Sequence, residues 1–370
     1  MRLPELTKIV SNLPRTIPFV GPEAIERQTG IPIRARLGAN ESGFGPSPKV
    51  REAIERASSE IWCYPDPESH DLKRALSARH AVDMSELTIG EGVDGLMALI
   101  ARLFIEPGDI VVTSLGGYPT FNYHVVGFGG RMEFVPYGGV HEHLDGLAAA
   151  ANRTGARIVY VANPDNPMGS YWSAEAITAF IARIPETCLI VLDEAYGELA
   201  PQGTLPPIYT QQGNLIRLRS FSKAYGLAGA RCGYAIGHRD IIAAFDRVRN
   251  HFGVNRMALV SAVAALEDQA YLAEVIHLVE KSRARIARIA LDNGLSPLPS
   301  ATNFVTIDCR KDGPYAAAIL TALARRGIFI RKPMAPGLDQ HIRVSVGPDN
   351  LIDIFEEELP YAIVDAQGAS

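Results

Sequence analysis

Ser220-Phe221-Ser222-Lys223-Ala224-Tyr225-Gly226-Leu227-Ala228-Gly229-Ala230-Arg231-Cys232-Gly233-Tyr234 places one lysine among small residues and hydroxyls. The apolar run Leu215 to Leu218, interrupted by Arg217, precedes it, and Cys232 to Gly237 follows. The segment therefore reads as strand, loop, turn, strand. Crowded by apolar groups and by a second cation, Arg231, the Lys223 amine loses its charge more readily than in water and can act as a nucleophile.

Strand-like runs continue on both sides of this stretch: Leu87–Ile89, Ile110–Ser114, Arg131–Pro136, Arg157–Ala162, Cys188–Leu192, Leu215–Arg219 and Cys232–Gly237. Many are unbroken aliphatic or β-branched runs, as in strands covered on both faces, and helical or loop stretches alternate with them. The pattern predicts an α/β fold with a mostly parallel, doubly wound sheet. Helical spacing is read from Val50 to about Ser58, from His70 to His80 and from Val93 to Leu103. A long helical region from Asp240 to Asn293, in two pieces, leads into strands at Asn303–Asp308, Ile328–Arg331 and Ile342–Val346 around helices Tyr315–Arg325 and Leu351–Tyr361, a smaller α+β unit. Residues 1–35 read as an arm punctuated by Pro14, Pro18, Pro22 and Pro32, with one helical turn at Glu23 to Gln28. The large domain is expected at 36–250 and the small one at 251–370, with Asp365 to Ser370 frayed.

A chain of 370 residues with 47% hydrophobic and 21% charged content can bury a large core. A net charge of −5 gives no electrostatic reason for a nucleic-acid or anionic-membrane partner, so small molecules are expected instead. Cys63, Cys188, Cys232 and Cys309 lie far apart with no zinc-ligand spacing and read as reduced core thiols of a cytosolic protein, so no metal is expected. Met1 to Asn12 lacks the apolar core of a secretion signal, and no apolar stretch is long enough to span a bilayer. The sequons at Asn40 and Asn152 consequently carry no weight.

Gly90-Glu91-Gly92-Val93-Asp94-Gly95 matches GxGxxG literally, but the acid Asp109 precedes the next strand instead of ending it, against a dinucleotide fingerprint and a nicotinamide oxidoreductase. A glycine-rich loop opening a helix still offers free N–H groups to one phosphate. Ser220-Phe221-Ser222-Lys223 matches SxxK, yet neither SDN nor KTG occurs to complete it. His141-Glu142-His143 is too tightly spaced for a helical metal site and reads as a solvated loop. Asp193-Glu194-Ala195-Tyr196 and Asn163-Pro164-Asp165-Asn166 place a carboxylate, a phenol and amides just beyond strand ends, where open α/β sheets gather ligands. With Lys223 and Arg231 they form one chemical set.

That set, with Ala39-Asn40-Glu41, Gly45-Pro46-Ser47-Pro48, Tyr64-Pro65-Asp66 and Ile342-Arg343-Val344, resembles the fold-type I pyridoxal phosphate (PLP) aminotransferases of class I/II, and within them the histidinol-phosphate aminotransferase group. The resemblance runs from about residue 14 to 360. It implies that Lys223 holds PLP as a Schiff base and carries the proton, that Asp193 pairs with the ring nitrogen, and that Tyr196 and Asn166 bond the ring's phenolate oxygen. It implies stacking by Phe121, a phosphate site of Gly92, Val93, Asp94, Ser220, Ser222 and Arg231, and Tyr64 reaching that phosphate from a second subunit of a cytoplasmic homodimer, whose arm covers the shared site. Arg343 would take a substrate carboxylate or its equivalent, with Arg331 and Phe19 nearby. Phe19 stands where the family usually carries a tyrosine, and Gly43 where it usually carries proline. The expected reaction is histidinol-phosphate:2-oxoglutarate transamination, with an aromatic or other amino-acid aminotransferase as the alternative and a threonine-phosphate-type decarboxylase behind it.

Overall fold

The computed structural model describes residues 4–14 and 19–368; Pro18 of the arm lies outside them. In chain order the strands are β1 (Ala35–Arg36), β2 (Leu87–Gly90), β3 (Ile110–Ser114), β4 (Arg131–Val135), β5 (Ile158–Ala162), β6 (Leu189–Asp193), β7 (Leu215–Ser220), β8 (Gly233–Gly237), β9 (Ser296–Pro297), β10 (Phe304–Asp308), β11 (Ile328–Phe329) and β12 (His341–Ser345). Seven of them make one sheet in the order β2-β8-β7-β6-β5-β3-β4, parallel except for β8, which runs against both its neighbours.

Every residue of β5, β6, β7 and β8 is buried, because helices cover both faces. Successive side chains of a strand point to opposite sides. Ile158, Tyr160, Leu189 and Val191 join the core around helix Gly92–Phe104. Val159, Val161, Ile190 and Leu192 join the one under helices Leu144–Thr154 and Ala174–Ile181. Arg217 and Arg219 are both buried on β7 and lie two residues apart, hence on one face. Glu194, fully buried, accepts from Arg217 Nη2 at 2.6 Å and Nε at 3.0 Å and from Arg219 Nε at 2.9 Å. The arginine that interrupts the predicted strand is thus an internal ion-pair partner.

The smaller unit holds the antiparallel sheet β12-β10-β9 and the parallel pair of β1 with β11. Its helices are Gln269–Asp292, Gly313–Ala324 and Asp349–Gly368. The hydrophobic core of this unit runs without a break into Val50, Leu72 and Leu76 of the larger one.

Four expectations are corrected. The region from Asp240 to Asn293 contains three helices, not two: Arg239–Phe245, Arg256–Glu267 and Gln269–Asp292. Asn255 caps the second by accepting from the Ala258 N–H at 2.8 Å, and Asp268 breaks the chain before the third. The arm carries helix Pro22–Thr29, longer than the turn read there, and a short helix at Lys8–Ser11. Asp365 to Gly368 are helical and not frayed: Ala366 is buried against the small-unit core and anchors the last turn, while Ala369 and Ser370 lie outside the described residues. Cys188, Cys232 and Cys309 are buried, but Cys63 is half-buried in a turn instead of belonging to the core; all four are free thiols. Among the described residues no helix is long and apolar enough to cross a membrane.

Candidate active site

The parallel run of the sheet delivers its chemistry to one edge. Asp193 is the last residue of β6, Asn166 follows the end of β5, and Ser220, Ser222 and Lys223 sit at or just past the end of β7. Arg231 arrives at the same edge because β8 is antiparallel and begins there. Ligands collect at this end of an open α/β sheet because the strands stop while the loops diverge.

Lys223 Nζ donates to the Asn40 carbonyl at 3.1 Å and lies 5.4 Å from the centre of the Tyr196 ring. Burial first, and then the charge of Arg343, push its pKa down to about 8. Arg231, the cation nearest in sequence, contributes less than Arg343. Asp193 accepts from the Tyr160 hydroxyl at 2.7 Å and from the Ala195 N–H at 2.9 Å. Desolvation nevertheless lifts its carboxyl to about 6. The Tyr196 hydroxyl accepts from Asn40 Nδ2 at 3.0 Å, and burial raises its pKa. An amine that deprotonates near neutrality beside a carboxylate and a phenol can bond a carbonyl carbon and relay a proton.

A second cluster suits a phosphate. Helix Gly92–Phe104 begins without a side-chain cap, so its first N–H groups are free for an anion. Arg231, in the left-handed region at φ 59°, donates to the Ala228 carbonyl at 3.0 Å and reaches Ser222 Oγ at 3.4 Å and Asp94 Oδ2 at 3.3 Å. Ser220 Oγ accepts from the Ser222 N–H at 3.0 Å. Gly92 has φ +74°, and a Cβ there would lie 2.6 Å from Arg231 Nη2. The guanidinium therefore rests directly on the first turn of the helix, where only glycine leaves room.

Arg343 faces the amine from the small unit. Its Nη1 donates to Asn166 Oδ1, its Nη2 to the Gly38 carbonyl at 3.2 Å, and its Nε is buried without a partner among the described residues. Burial lowers its pKa to about 10. Arg331 pairs with Arg343 through backbone hydrogen bonds, donates Nη2 to the Val20 carbonyl at 2.7 Å, and lies 5.7 Å over the Phe19 ring. Phe19 and Arg331 thus share one wall with Arg343.

Two residues read from the sequence stand apart from the cluster. Phe121 is fully buried, its ring 5.5 Å from Tyr160. Tyr64 is 76% exposed, stacked on Phe252 at 4.5 Å. Other contributors carried no sequence role: Asn40, Tyr160, Tyr118, whose hydroxyl donates to Asp94 Oδ1 at 2.9 Å, and Asn303, whose Nδ2 donates to the Asn40 carbonyl at 2.9 Å. Only Asn40 carried a signal, as the amide in a Gly- and Pro-rich loop; it takes φ 54°, a conformation asparagine tolerates.

A family model described as aminotransferase class I and II matches residues 33–359. Histidinol-phosphate aminotransferase 2 of Pseudomonas aeruginosa is 35% identical over 355 residues, covering 95% of each protein. Histidinol-phosphate aminotransferase of Moorella thermoacetica is 33% identical over 350 residues, 93% of this chain and 89% of that protein. A crystal structure of histidinol-phosphate aminotransferase from Sinorhizobium meliloti, in complex with pyridoxal-5'-phosphate, is 54% identical, covers 98% of both chains and superposes with a TM-score of 0.96. Aspartate aminotransferase from Thermus thermophilus with maleate, 21% identical over 97% of this chain and 100% of that one, shares the fold at a TM-score of 0.79.

Proposed function

The chain belongs to the class I and II aminotransferases, and from that premise we propose that it transfers an amino group from histidinol phosphate to 2-oxoglutarate, using pyridoxal 5'-phosphate held at Lys223. The observation that carries this reading is the half-buried Lys223 amine, depressed to about 8, facing Asp193 and Tyr196 at the ends of adjacent parallel strands. The named relatives support histidinol phosphate as the donor.

The residues fit the cofactor at each of its groups. The uncapped helix start with Gly92, Val93 and Asp94, together with Ser220, Ser222 and Arg231, would hold its phosphate. Asp193 would face its ring nitrogen, and Tyr196 and Asn166 its phenolate oxygen. Phe121, behind Tyr160, would support the ring's face. Bound there, pyridoxal 5'-phosphate supplies the electron sink that lets the donor's C–H bond ionise. Lys223 Nζ, partly neutral near pH 8, would accept the proton from that carbon and deliver it to the cofactor, leaving the donor carbon to become the ketone. Arg343, with its Nε free, orients the donor and the 2-oxo acid, and Arg331 stands beside it for a second anionic group.

The division into an arm at 1–35, a large domain at 36–250 and a small domain at 251–370 is supported by the separation of the seven-stranded sheet from the two smaller sheets. The working unit is a cytoplasmic homodimer. Its dimerisation is supported by the exposed cluster of Ile61, Trp62, Tyr64 and Phe252, a patch of a kind that marks a partner surface. Tyr64 would then serve the neighbouring subunit's phosphate.

A second reading, an aromatic amino-acid donor, is favoured by the arm wall, where the Phe19 ring meets Tyr118 at 6.3 Å and presents no hydroxyl. A panel of histidinol phosphate, phenylalanine, aspartate and threonine phosphate with 2-oxoglutarate separates the two. Turnover of histidinol phosphate ahead of the rest is the expected outcome, and preference for phenylalanine would replace it with the second reading. A protein that takes up no pyridoxal 5'-phosphate, seen as the absence of visible absorbance that borohydride bleaches, would overturn both.

A further inference from the structure

Tyr118 has no role in the reading above, yet its hydroxyl donates to Asp94 Oδ1 at 2.9 Å, while the other carboxylate oxygen meets Arg231 Nη2 at 3.3 Å. Asp94 is the third residue of helix Gly92–Phe104, so its carboxylate sits at the positive end of the helix. A phosphate at that helix start meets Asp94 as a like charge and competes with it for Arg231. The two contacts of Asp94 differ in quality. The pair with Arg231 is long and its side chains are 45% and 41% exposed, so solvent screens it. The Tyr118 bond is short and charge-assisted, made by a half-buried ring packed toward Phe19.

We propose that Tyr118 is a positioning residue for the cofactor's phosphate: its hydroxyl takes the shorter bond of the Asp94 carboxylate and keeps the contact with Arg231 long, so that the guanidinium can turn to the phosphate. The proposal rests on the reading of pyridoxal 5'-phosphate as the cofactor. Without the hydroxyl, the carboxylate has two places to go. It closes on Arg231, which then faces the phosphate less fully, or it turns toward the helix start, where it repels the phosphate. Both weaken binding of the phosphorylated cofactor, and neither touches the rest of the ring site. Phenylalanine at 118 keeps the ring and its contact with Phe19, so the loss is confined to the hydroxyl.

The full-length chain and its variants are titrated with pyridoxal 5'-phosphate and, separately, with pyridoxal, which lacks the phosphate, following visible absorbance. Tyr118→Phe is expected to raise Kd for pyridoxal 5'-phosphate about tenfold, the size of a lost hydrogen bond to a charged group, and to leave Kd for pyridoxal unchanged. Asp94→Asn removes the charge that Tyr118 restrains, so Tyr118→Phe added to Asp94→Asn should weaken pyridoxal 5'-phosphate no further. Equal weakening of both compounds, an unchanged Kd for pyridoxal 5'-phosphate, or a full effect in the Asp94→Asn background would each overturn the role assigned to Tyr118. If the parent chain binds pyridoxal 5'-phosphate and the variants behave in one of those ways, only the inference falls; if the parent binds neither compound, the cofactor reading falls and takes the inference with it.

Discussion

Replacing Tyr160 with phenylalanine should move the acid limb of the pH–rate profile. The Tyr160 hydroxyl donates to Asp193 Oδ2 at 2.7 Å, deep in the sheet, and only the Ala195 N–H serves the other oxygen. With both donors in place, desolvation still outweighs them and lifts the carboxyl to about 6. A hydrogen bond to a charged group contributes about 1.5–3 kcal/mol, and 1.36 kcal/mol corresponds to one pKa unit, so losing the hydroxyl should raise the Asp193 pKa by roughly one to two. The sign follows from the donor's preference for the ionised acceptor: without it, the acid keeps its proton to higher pH and is a poorer partner for a protonated ring nitrogen. The acid limb of kcat/KM should therefore shift upward by roughly one to two pH units, with activity about twofold to tenfold low near pH 7 and recovering at higher pH. Phenylalanine keeps the ring packed against Phe121, so melting curves of parent and variant serve as the control for the fold. An acid limb that stays in place while the plateau drops would show that Tyr160 acts through packing, and the reasoning about Asp193 would be wrong.

In the cofactor-free chain, Lys223→Met should raise Tm by a few degrees at pH 7. The folded amine titrates near 8, below its ordinary 10.5, so its protonated form opposes folding fully below pH 8 and this opposition fades as pH rises toward 10.5; a gap in Tm that stays constant over that range would refute the assignment. Glu194→Ala leaves Arg217 and Arg219 buried with their shared acceptor gone, and should cost about 3–5 kcal/mol, read as a lower urea midpoint; a midpoint within experimental scatter of the parent would mean that water reaches those arginines. Arg343→Lys cannot serve Asn166, the Gly38 carbonyl and a substrate carboxylate with one ammonium. Its KM for 2-oxoglutarate, the substrate that carries the carboxylate, should rise about tenfold or more while cofactor affinity holds, in line with the loss of a hydrogen bond to a charged group, and an unchanged KM would remove Arg343 from the substrate's path.

The sheet could be read from the chain because strands covered on both faces are near-continuous apolar runs, as Ile158–Ala162 and residues 189–192 are. Lys223, Asp193 and Asn166 could be read with it, since each follows the end of its own strand and needs only that strand to be placed. The groups that hold them had no such local sign. Tyr160 looks like one more core residue until β5 is set beside β6, where Ala162 and Asp193 are partners in register. Glu194, next to Asp193, has no local sign of its role either; that it binds two arginines depends on β7 lying alongside. Periodicity undercounts the helices after Asp240 because it does not register single-residue breaks: Asn255 caps the second helix with its side chain, and Asp268 departs from helical backbone between the second and the third.

Asn40 shows why the distant contributors matter to the chemistry. β1 pairs with β11 of the small unit, so the loop that follows β1 is held by that unit even though it reaches the amine at the large sheet's edge. Its carbonyl accepts from Lys223 Nζ at 3.1 Å and from Asn303 Nδ2 at 2.9 Å, filling both of its lone-pair positions. When Lys223 turns from this carbonyl toward a substrate carbon, Asn303 still satisfies it, and the bonds from Asn40 Nδ2 to Tyr196 and from the Asn40 N–H to Ser345 Oγ at 3.0 Å keep the loop in place. A buried carbonyl left with no donor would cost about 1–3 kcal/mol and resist that motion. The Asn303 amide removes that resistance, so the proton-carrying amine can move while the phenol beside it stays fixed.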